Sequence, residues 1–262
     1  MPGLTGVAFF VLVPFLRVVV SSFYTALSGE FVGMQNYIAV FGNTAFRLAV
    51  TNTIRFMVIG IPTLLLISLG LALVVGENPR RDKYKYFYLL PMAMPAATLV
   101  FVWKMLFAKQ GFLNSIQGSS IDFMGEDSSF YILLASYLWK NLGYTLVLWL
   151  AGLKAIPAEI IDAAKVDGAG RAKRFLHVTL PNLRGSVYTI LVVSLLNSFK
   201  VFREVYLVGG AYPQEKIYLL QHVFNNWYTN LDFDKMAAVA VLSVLVLGSI
   251  SLLLQGLWNR ED

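Results

Sequence analysis

Long apolar runs separated by short polar gaps dominate the pattern of the chain. A helix that crosses a bilayer needs about 20 mainly apolar residues, and six runs are of this kind. Stretches such as Val239–Leu254 are almost continuously apolar, unlike the alternating segments of about ten residues that build an outer-membrane barrel. The pattern therefore predicts an all-α integral membrane protein with six transmembrane helices. The predicted spans cover residues 4–27, 48–75, 87–107, 130–153, 186–208 and 236–258.

The amino-acid composition agrees with a membrane protein. Hydrophobic residues make up 57% of the chain and charged residues only 14%, whereas soluble domains carry about 25% charged residues. The same values exclude an intrinsically disordered chain. The chain has no cysteine, which excludes disulfide-stapled secreted proteins, thiolate zinc sites and cysteine nucleophiles. We therefore expect a multi-pass protein of the cell membrane, surrounded by membrane lipid.

Basic residues concentrate in the gaps on one side of the predicted membrane. The net charge is +6, from 21 Lys and Arg and 15 Asp and Glu. Four basic residues fall in the gap 77–86, six fall in the gap 154–185, and Arg260 follows the last span. Cytoplasmic loops collect Lys and Arg, so we expect this side and both termini to be cytoplasmic. No basic face on a soluble module is apparent, so nucleic acid is not an expected partner.

The first apolar run resembles a signal peptide because it ends in Thr-Ala-Leu-Ser at residues 25–28. A signal peptide would begin with a basic region, and none precedes this run. Arg17 also interrupts the apolar stretch. We therefore predict an uncleaved first span.

The internal gap 154–185 has the signals of a short helix. Pro157 stands where a helix begins without losing a hydrogen bond. Glu159 and Asp162 follow in the first turns, where negative charge suits the positive end of the helix dipole. Gly168 can end the helix in a left-handed turn. These signals predict a helix that lies outside the membrane core.

A second short helix is predicted over 171–178, and Pro181 leads into the next span. The segment 154–185 is therefore predicted to form a helix–turn–helix on the cytoplasmic face of the membrane, and one side of this helix–turn–helix is apolar. From the residues alone, two alternatives stay open. The segment either rests on the bilayer surface or docks onto a partner protein.

This segment closely resembles the EAA loop of ABC importer permeases. The resemblance rests on Asp162-Ala163-Ala164, Asp167-Gly168-Ala169, Phe175, His177 and Leu180-Pro181. Asp162 replaces the usual first Glu of that motif with a shorter side chain of the same charge. The resemblance implies a coupling helix that fits a cleft on a cytoplasmic ATPase subunit. The residues to which it gives this coupling role are Glu159, Asp162, Ala163, Ala164, Asp167, Gly168 and Ala169.

Further motifs along the chain resemble carbohydrate-type permeases, the subunit type of the maltose and glycerol-phosphate importers. They are Phe31–Tyr37, Asn52-Thr53, Leu90-Pro91, Trp103-Lys104, Gly152–Pro157 and Gly209–Pro213. The resemblance implies one transmembrane permease domain over 1–262. It also implies four kinds of contact: a second, different permease subunit as heterodimer partner, two cytoplasmic ATPase subunits, an extracellular solute-binding protein, and lipid. ATP and Mg²⁺ would then be bound in the partner ATPase, with no cofactor in this chain.

Polar residues within two spans are candidates for lining a substrate path. Placing a charge near the bilayer centre costs free energy, so a charged residue within a span indicates a function or a charge partner. Charged residues of this kind are Lys140, Lys200, Arg203 and Glu204. Amides and aromatic rings are typical of sugar sites, but small and polar residues also pack helices against one another. Both alternatives stay open for the substrate-lining candidates. These are Trp139, Asn141, Gly143 and Tyr144 in span four, and Ser194, Asn197, Ser198 and Val201 in span five.

The motifs of ATP binding and of catalysis are missing from the sequence. No Gly-x-x-x-x-Gly-Lys-Ser/Thr phosphate loop occurs. His177 and His222 lie in different segments and predict no metal site, and no span holds clustered acid, base and nucleophile. We predict a non-enzymatic subunit of an ATP-driven carbohydrate importer that forms half of the translocation pathway. Alternatives are a permease for another solute, such as an anionic or phosphorylated compound, and a stand-alone secondary transporter.

Overall fold

The structure, a computed structural model, describes residues 2–76, 85–125 and 128–258. These residues form helices without a strand, apart from one isolated antiparallel bridge between Tyr24 and Phe31. The helices, in chain order, are α1 (Pro2–Val7), α2 (Val13–Ser21), α3 (Gln35–Gly42), α4 (Thr44–Gly76), α5 (Lys85–Ala93), α6 (Ala96–Phe107), α7 (Phe112–Gln117), α8 (Ser129–Ala155), α9 (Ala158–Val166), α10 (Arg171–Arg174), α11 (Leu180–Asn182), α12 (Arg184–Lys200), α13 (Phe202–Gly209), α14 (Leu220–Thr229) and α15 (Phe233–Trp258). Wider π-helical turns at Ala8–Leu12 and Phe175–Thr179 and a 3₁₀ turn at Glu215–Ile217 complete the set.

Five helical segments among the described residues are long and apolar enough to cross a membrane. The helix α8, predicted as span four, is not one of them, although its 27 residues would span about 40 Å. Polar side chains such as Lys140 and Asn141 lower its mean hydropathy. The all-helical class is therefore confirmed, whereas six spans and cytoplasmic termini stay predictions. The five segments are Gly3–Ser21, Thr44–Gly76, Ala96–Gln117, Arg184–Gly209 and Phe233–Gly256.

The third predicted span, 87–107, is not one continuous helix. It consists of α5 and α6, separated at Met94-Pro95. Pro95 lacks a backbone N–H and has an extended ψ of 146° as the residue before α6, so it cannot continue the preceding helix. In the fifth predicted span, 186–208, α12 and α13 meet at Val201, which keeps right-handed helical torsions. Arg184–Gly209 is therefore one helical segment long enough to cross a membrane.

The chain divides into two compact units. The first contains the described residues up to Thr53 together with Tyr218–Leu253. Its core is built around Tyr37, Phe46 and Trp227. The second contains the described residues of 54–217 and of the C-terminal end. The prediction of one permease domain over 1–262 stays a prediction.

In the first unit, the motif Phe31–Tyr37 is explained by its hydrogen bonds. Gly33 has a φ of +55°, a left-handed conformation that favours glycine. The buried Asn36 amide donates to the carbonyl oxygens of Ser22 (2.9 Å) and Tyr24 (3.0 Å). The Tyr37 hydroxyl lies 2.7 Å from that of Ser22. The motif therefore holds the turn that follows α2.

In the second unit, α8 forms the centre of the packing. Trp149 is buried in an apolar cluster, and its Nε1–H donates to the Ser68 hydroxyl of α4 at 2.9 Å. A Cβ on Gly143 would overlap the carbonyl oxygen of Tyr88 in α5, and one on Gly152 would overlap the Ser186 hydroxyl of α12. Small residues thus let α5 and α12 approach α8 closely, as is typical of membrane helices.

The internal gap 154–185 forms the predicted first helix, α9, directly after Pro157. Its left-handed end is confirmed, since Gly168 has a φ of +76°. The prediction ended the second helix, 171–178, too early. Helical structure continues from Arg171 through Asn182, and Pro181 lies in the short α11, directly before α12 begins at Arg184. The wider π-helical turn Phe175–Thr179 precedes it, where the hydrogen-bond pattern of an α-helix is already interrupted.

The basic residues Arg80, Arg81 and Lys83 of the gap 77–86 lie outside the described residues, as does Arg260 after the last predicted span.

Candidate functional site

A polar cavity of about 190 Å³ lies in the second unit. Helices α5, α8, α12 and α13 contribute to its wall, with Val201 at the junction between α12 and α13. Most of the side chains that line it are amides, hydroxyls or charged groups, with two apolar exceptions. The lining residues are Met92, Ser136, Tyr137, Lys140, Asn141, Asn197, Lys200, Val201 and Glu204.

Helix α8 supplies four of these side chains from one face. Residues four apart lie one above the other on a helix, which aligns Ser136 with Lys140 and Tyr137 with Asn141. The Asn141 side-chain N–H donates to the Tyr137 carbonyl oxygen at 2.7 Å, so the amide oxygen is the group left to accept a hydrogen bond. The Tyr137 hydroxyl donates to the Ser194 carbonyl oxygen at 3.0 Å. The face is therefore polar and held in place by α12.

An ion pair joins the two sides of this cavity. The Lys140 ammonium of α8 contacts the Glu204 Oε1 of α13. Glu204 is 5% exposed, and its Oε2 has no hydrogen-bond partner among the described residues. Glu204 also lines a smaller apolar cavity beside Trp103, whose buried Nε1–H likewise has no partner there. Lys140 and Glu204 therefore compensate the charge of each other, as expected for charged residues within predicted spans.

The structure separates the substrate-lining candidates of span five into two groups. Asn197 and Val201 line the cavity. Ser194 is buried with its hydroxyl 3.0 Å from that of Tyr144. Ser198 is buried and donates to the Leu195 carbonyl oxygen at 2.6 Å. Both serine hydroxyls are therefore hydrogen-bonded within the protein in this structure and lie outside the cavity wall, although their spacing places them on the same helix face as Asn197.

The candidates of span four separate in the same way. Asn141 lines the cavity, whereas Tyr144 contacts Ser194 and is not part of the wall. Trp139 packs edge-on against Trp103, with 5.9 Å between ring centroids. Gly143 is buried against the backbone of α5. Sequence reasoning missed Ser136, Tyr137 and Met92 as wall residues, and the four-residue spacing from Lys140 and Asn141 could have found the first two.

The predicted coupling residues lie on an exposed segment. Glu159, Asp162 and Asp167 are exposed, and Lys165 donates to the Asp162 carboxylate at 2.7 Å. Val166 is 87% exposed although it is apolar. The Ala169 N–H donates to the Ala164 carbonyl oxygen at 3.0 Å, which closes the turn at the end of α9 in the manner of a glycine cap. An exposed apolar side beside acidic groups is suited to contact with another protein.

No group of three or more His, Cys, Asp or Glu that could hold a metal ion occurs within the described ranges. His222, in the segment between α13 and α15, is buried, and its Nδ1 accepts a hydrogen bond from the Leu219 N–H at 3.0 Å. Burial lowers the pKa of His222 from 6.5 to about 4, because a buried imidazole resists becoming charged. This histidine stays neutral and caps the start of α14.

Comparison with known proteins gives a consistent family. Residues 67–261 match the family model described as the binding-protein-dependent transport system inner membrane component. A trehalose/maltose transport system permease of Thermococcus litoralis is 28% identical over 278 residues, covering 100% of this chain and 93% of that protein. A sulfoquinovosyl glycerol transport system permease of Agrobacterium fabrum is 28% identical over 255 residues, covering 92% and 82%.

Two further matches concern solute class and fold. An sn-glycerol-3-phosphate transport system permease of Yersinia pestis is 31% identical over 238 residues, covering 85% of this chain and 78% of that protein. One chain of a bacterial ABC transporter involved in the import of the acidic polysaccharide alginate superposes with a TM-score of 0.82. That superposition covers 99% of this chain and 93% of the other at 19% identity, and it establishes the shared fold.

Proposed function

The chain belongs to the binding-protein-dependent transport system inner membrane components, and on that premise we propose that it forms half of the translocation pathway of an ATP-driven carbohydrate importer. Its relatives are transport permeases and not enzymes, and the chain is a multi-pass membrane protein of the ABC permease class. Both termini would face the cytoplasm. The relatives carry trehalose, maltose and sulfoquinovosyl glycerol according to their names, which supports a carbohydrate here.

The observation that carries the proposal is the polar cavity between transmembrane helices. Asn141, Asn197 and Tyr137 place amide and phenol groups in its wall, and such groups exchange hydrogen bonds with sugar hydroxyls. Met92 and Val201 add apolar surface, which suits the carbon face of a sugar ring. Ligand sites of this kind combine an apolar wall with a few polar groups that fix orientation. The cavity would open alternately to the two sides of the membrane.

The exposed helix α9 supports a role in coupling. Two ATPase subunits, which bind ATP and Mg²⁺, would contact α9 and the turn at Gly168 from the cytoplasm. The turn residues Asp167 and Ala169 would complete that surface. A second, different permease would supply the other half of the path. An extracellular solute-binding protein would deliver the sugar, as the family description implies.

Adjacent residues of α12 provide a test of the cavity. Asn197 lines it, whereas Ser198 bonds to its own helix. We expect Asn197→Ala to lower uptake of labelled sugar by the reconstituted importer about threefold or more, because each lost hydrogen bond is worth about 0.5–1.5 kcal/mol. We expect Ser198→Ala to leave uptake close to that of the wild type. Assembly with the ATPase, measured by detergent pull-down, should be unchanged in both.

Several results would contradict the proposal. Normal uptake by Asn197→Ala would remove this cavity from the path, and loss of assembly would assign Asn197 to packing. Uptake by the purified chain without any ATPase subunit would instead favour a secondary transporter.

A further inference from the structure

The charges that line the cavity do not cancel. Three charged side chains contribute to its wall: Lys140, Lys200 and Glu204. Lys140 and Glu204 form an ion pair and compensate each other. Lys200 is exposed, and the ion pairs among the described residues do not include it. The cavity wall of this chain therefore carries one uncompensated positive charge.

Lys200 is the last residue of α12 and lies next to Val201, at the junction with α13. The residue is exposed, so water weakens the interactions of its charge. Its three N–H donors stay available to a ligand in the cavity. An ammonium group in this position would form a charge-assisted hydrogen bond with an anion, which is stronger than a bond between neutral groups.

The rest of the wall is suited to neutral polar groups. Asn141 and Asn197 offer amides, and Ser136 and Tyr137 add hydroxyl-bearing side chains. Because Lys140 is paired with Glu204, Lys200 is the one unpaired cation that the described residues place in this wall. On this chain's side of the path, a second acidic group of the ligand would lack a cationic partner.

We infer that the substrate is a polyhydroxylated compound with one singly charged acidic group, such as a sugar carboxylate or sulfonate. Its anion binds Lys200, and its hydroxyls bind the amides of Asn141 and Asn197. This inference rests on the proposed function, because it concerns the same cavity. It narrows the substrate from carbohydrates in general to singly acidic ones.

The test uses the complete importer in proteoliposomes, with its ATPase subunits, second permease and binding protein. The probes are labelled pairs that differ in one singly charged acidic group: sulfoquinovosyl glycerol with glucosylglycerol, and galacturonate with galactose. Uptake is compared between wild type, Lys200→Met, Lys200→Arg and Arg203→Met. Arg203 is the matched control, since it is an exposed cation three positions away that does not line the cavity.

We expect the wild type to favour the acidic member of a pair. Lys200→Met should lower uptake of that member about tenfold or more, because a hydrogen bond to a charged group is worth about 1.5–3 kcal/mol. Uptake of the neutral member should change little. Lys200→Arg should retain most of the preference, and Arg203→Met should leave it unchanged.

Three results would overturn the inference. One is a wild-type preference for neutral members. Another is an equal loss for both members in Lys200→Met. The third is loss of the second permease from that variant in a detergent pull-down, which would assign Lys200 to an interface. Each leaves the proposed function intact. If an importer that assembles and hydrolyses ATP takes up none of the probes, neutral or acidic, both proposals fail.

Discussion

Lys140 of α8 and Glu204 of α13 form an ion pair across 64 positions of sequence. The carboxylate is 6% exposed and the lysine side chain is 25% exposed. Removing one partner of a buried pair leaves the other charge uncompensated, which is more costly than replacing both with apolar groups. Loss of either partner alone is therefore expected to destabilise the region where α8 and α13 meet beside the cavity.

This pair predicts a non-additive mutant cycle. Glu204→Gln and Lys140→Met should each lower the free energy of unfolding in detergent, and the double variant should recover part of the loss. The expected coupling is about 0.5–3 kcal/mol. Thermal unfolding of the wild type, both single variants and the double variant measures it. Strictly additive losses would show that the two charges do not stabilise each other.

Close packing at Gly143 predicts that a methyl group added there strongly lowers the stability of the protein. Gly143→Ala would place a Cβ against the carbonyl oxygen of Tyr88, and overpacking of this kind costs about 1–3 kcal/mol. The matched control is Gly70→Ala, because nothing lies within 4 Å of a Cβ at Gly70. Unfolding of both purified variants in detergent measures the difference. A Gly143→Ala protein of normal stability that fails only in uptake would favour the alternative role of Gly143 in the path.

The left-handed turn at Gly168 predicts a defect in coupling. A β-branched residue with a φ of +76° is strained, at about 1–2 kcal/mol, so Gly168→Val should distort the end of α9. We expect uptake and ATPase pull-down to fall strongly while the protein remains in the membrane fraction. Gly170→Val is the control, since Gly170 has an ordinary φ of −62° and nothing lies within 4 Å of a Cβ there. Undiminished uptake by Gly168→Val would remove the turn from the coupling surface.

Burial of His222 predicts a loss of stability on acidification. Its pKa is lowered from 6.5 to about 4 in the folded protein, so the unfolded chain binds the proton more readily between these values. The stabilisation is therefore complete above pH 6.5 and is lost progressively as the pH falls towards 4. A difference of this size corresponds to about 3 kcal/mol over that range.

Replacing the histidine should flatten this part of the pH dependence. Unfolding in detergent between pH 4 and 7 would be compared for the wild type and His222→Gln. His177→Gln is the control, because His177 is the other histidine of the chain and is exposed. An unchanged pH profile in His222→Gln would assign the acid sensitivity to other groups.

Local features of the sequence determined the helical class and the turn of the coupling segment. Backbone groups in a bilayer must be satisfied within the segment, so long apolar runs such as Val239–Leu254 can be read as helices without knowing their neighbours. Pro157 and Gly168 mark the start and end of α9 through backbone preferences that act within a few residues. The same local reasoning recognised the motif around Asp162, which led to the family.

Only the tertiary structure decided which polar residues line the cavity. Helical spacing placed Asn197 and Ser198 on one face, but it could not show that Ser198 bonds to Leu195 while Asn197 lines the cavity wall. Nor could it pair Lys140 with Glu204. The physical reason is that periodicity determines which side chains share a face, whereas their partners come from helices distant in the sequence. Those partners are set by how the helices pack.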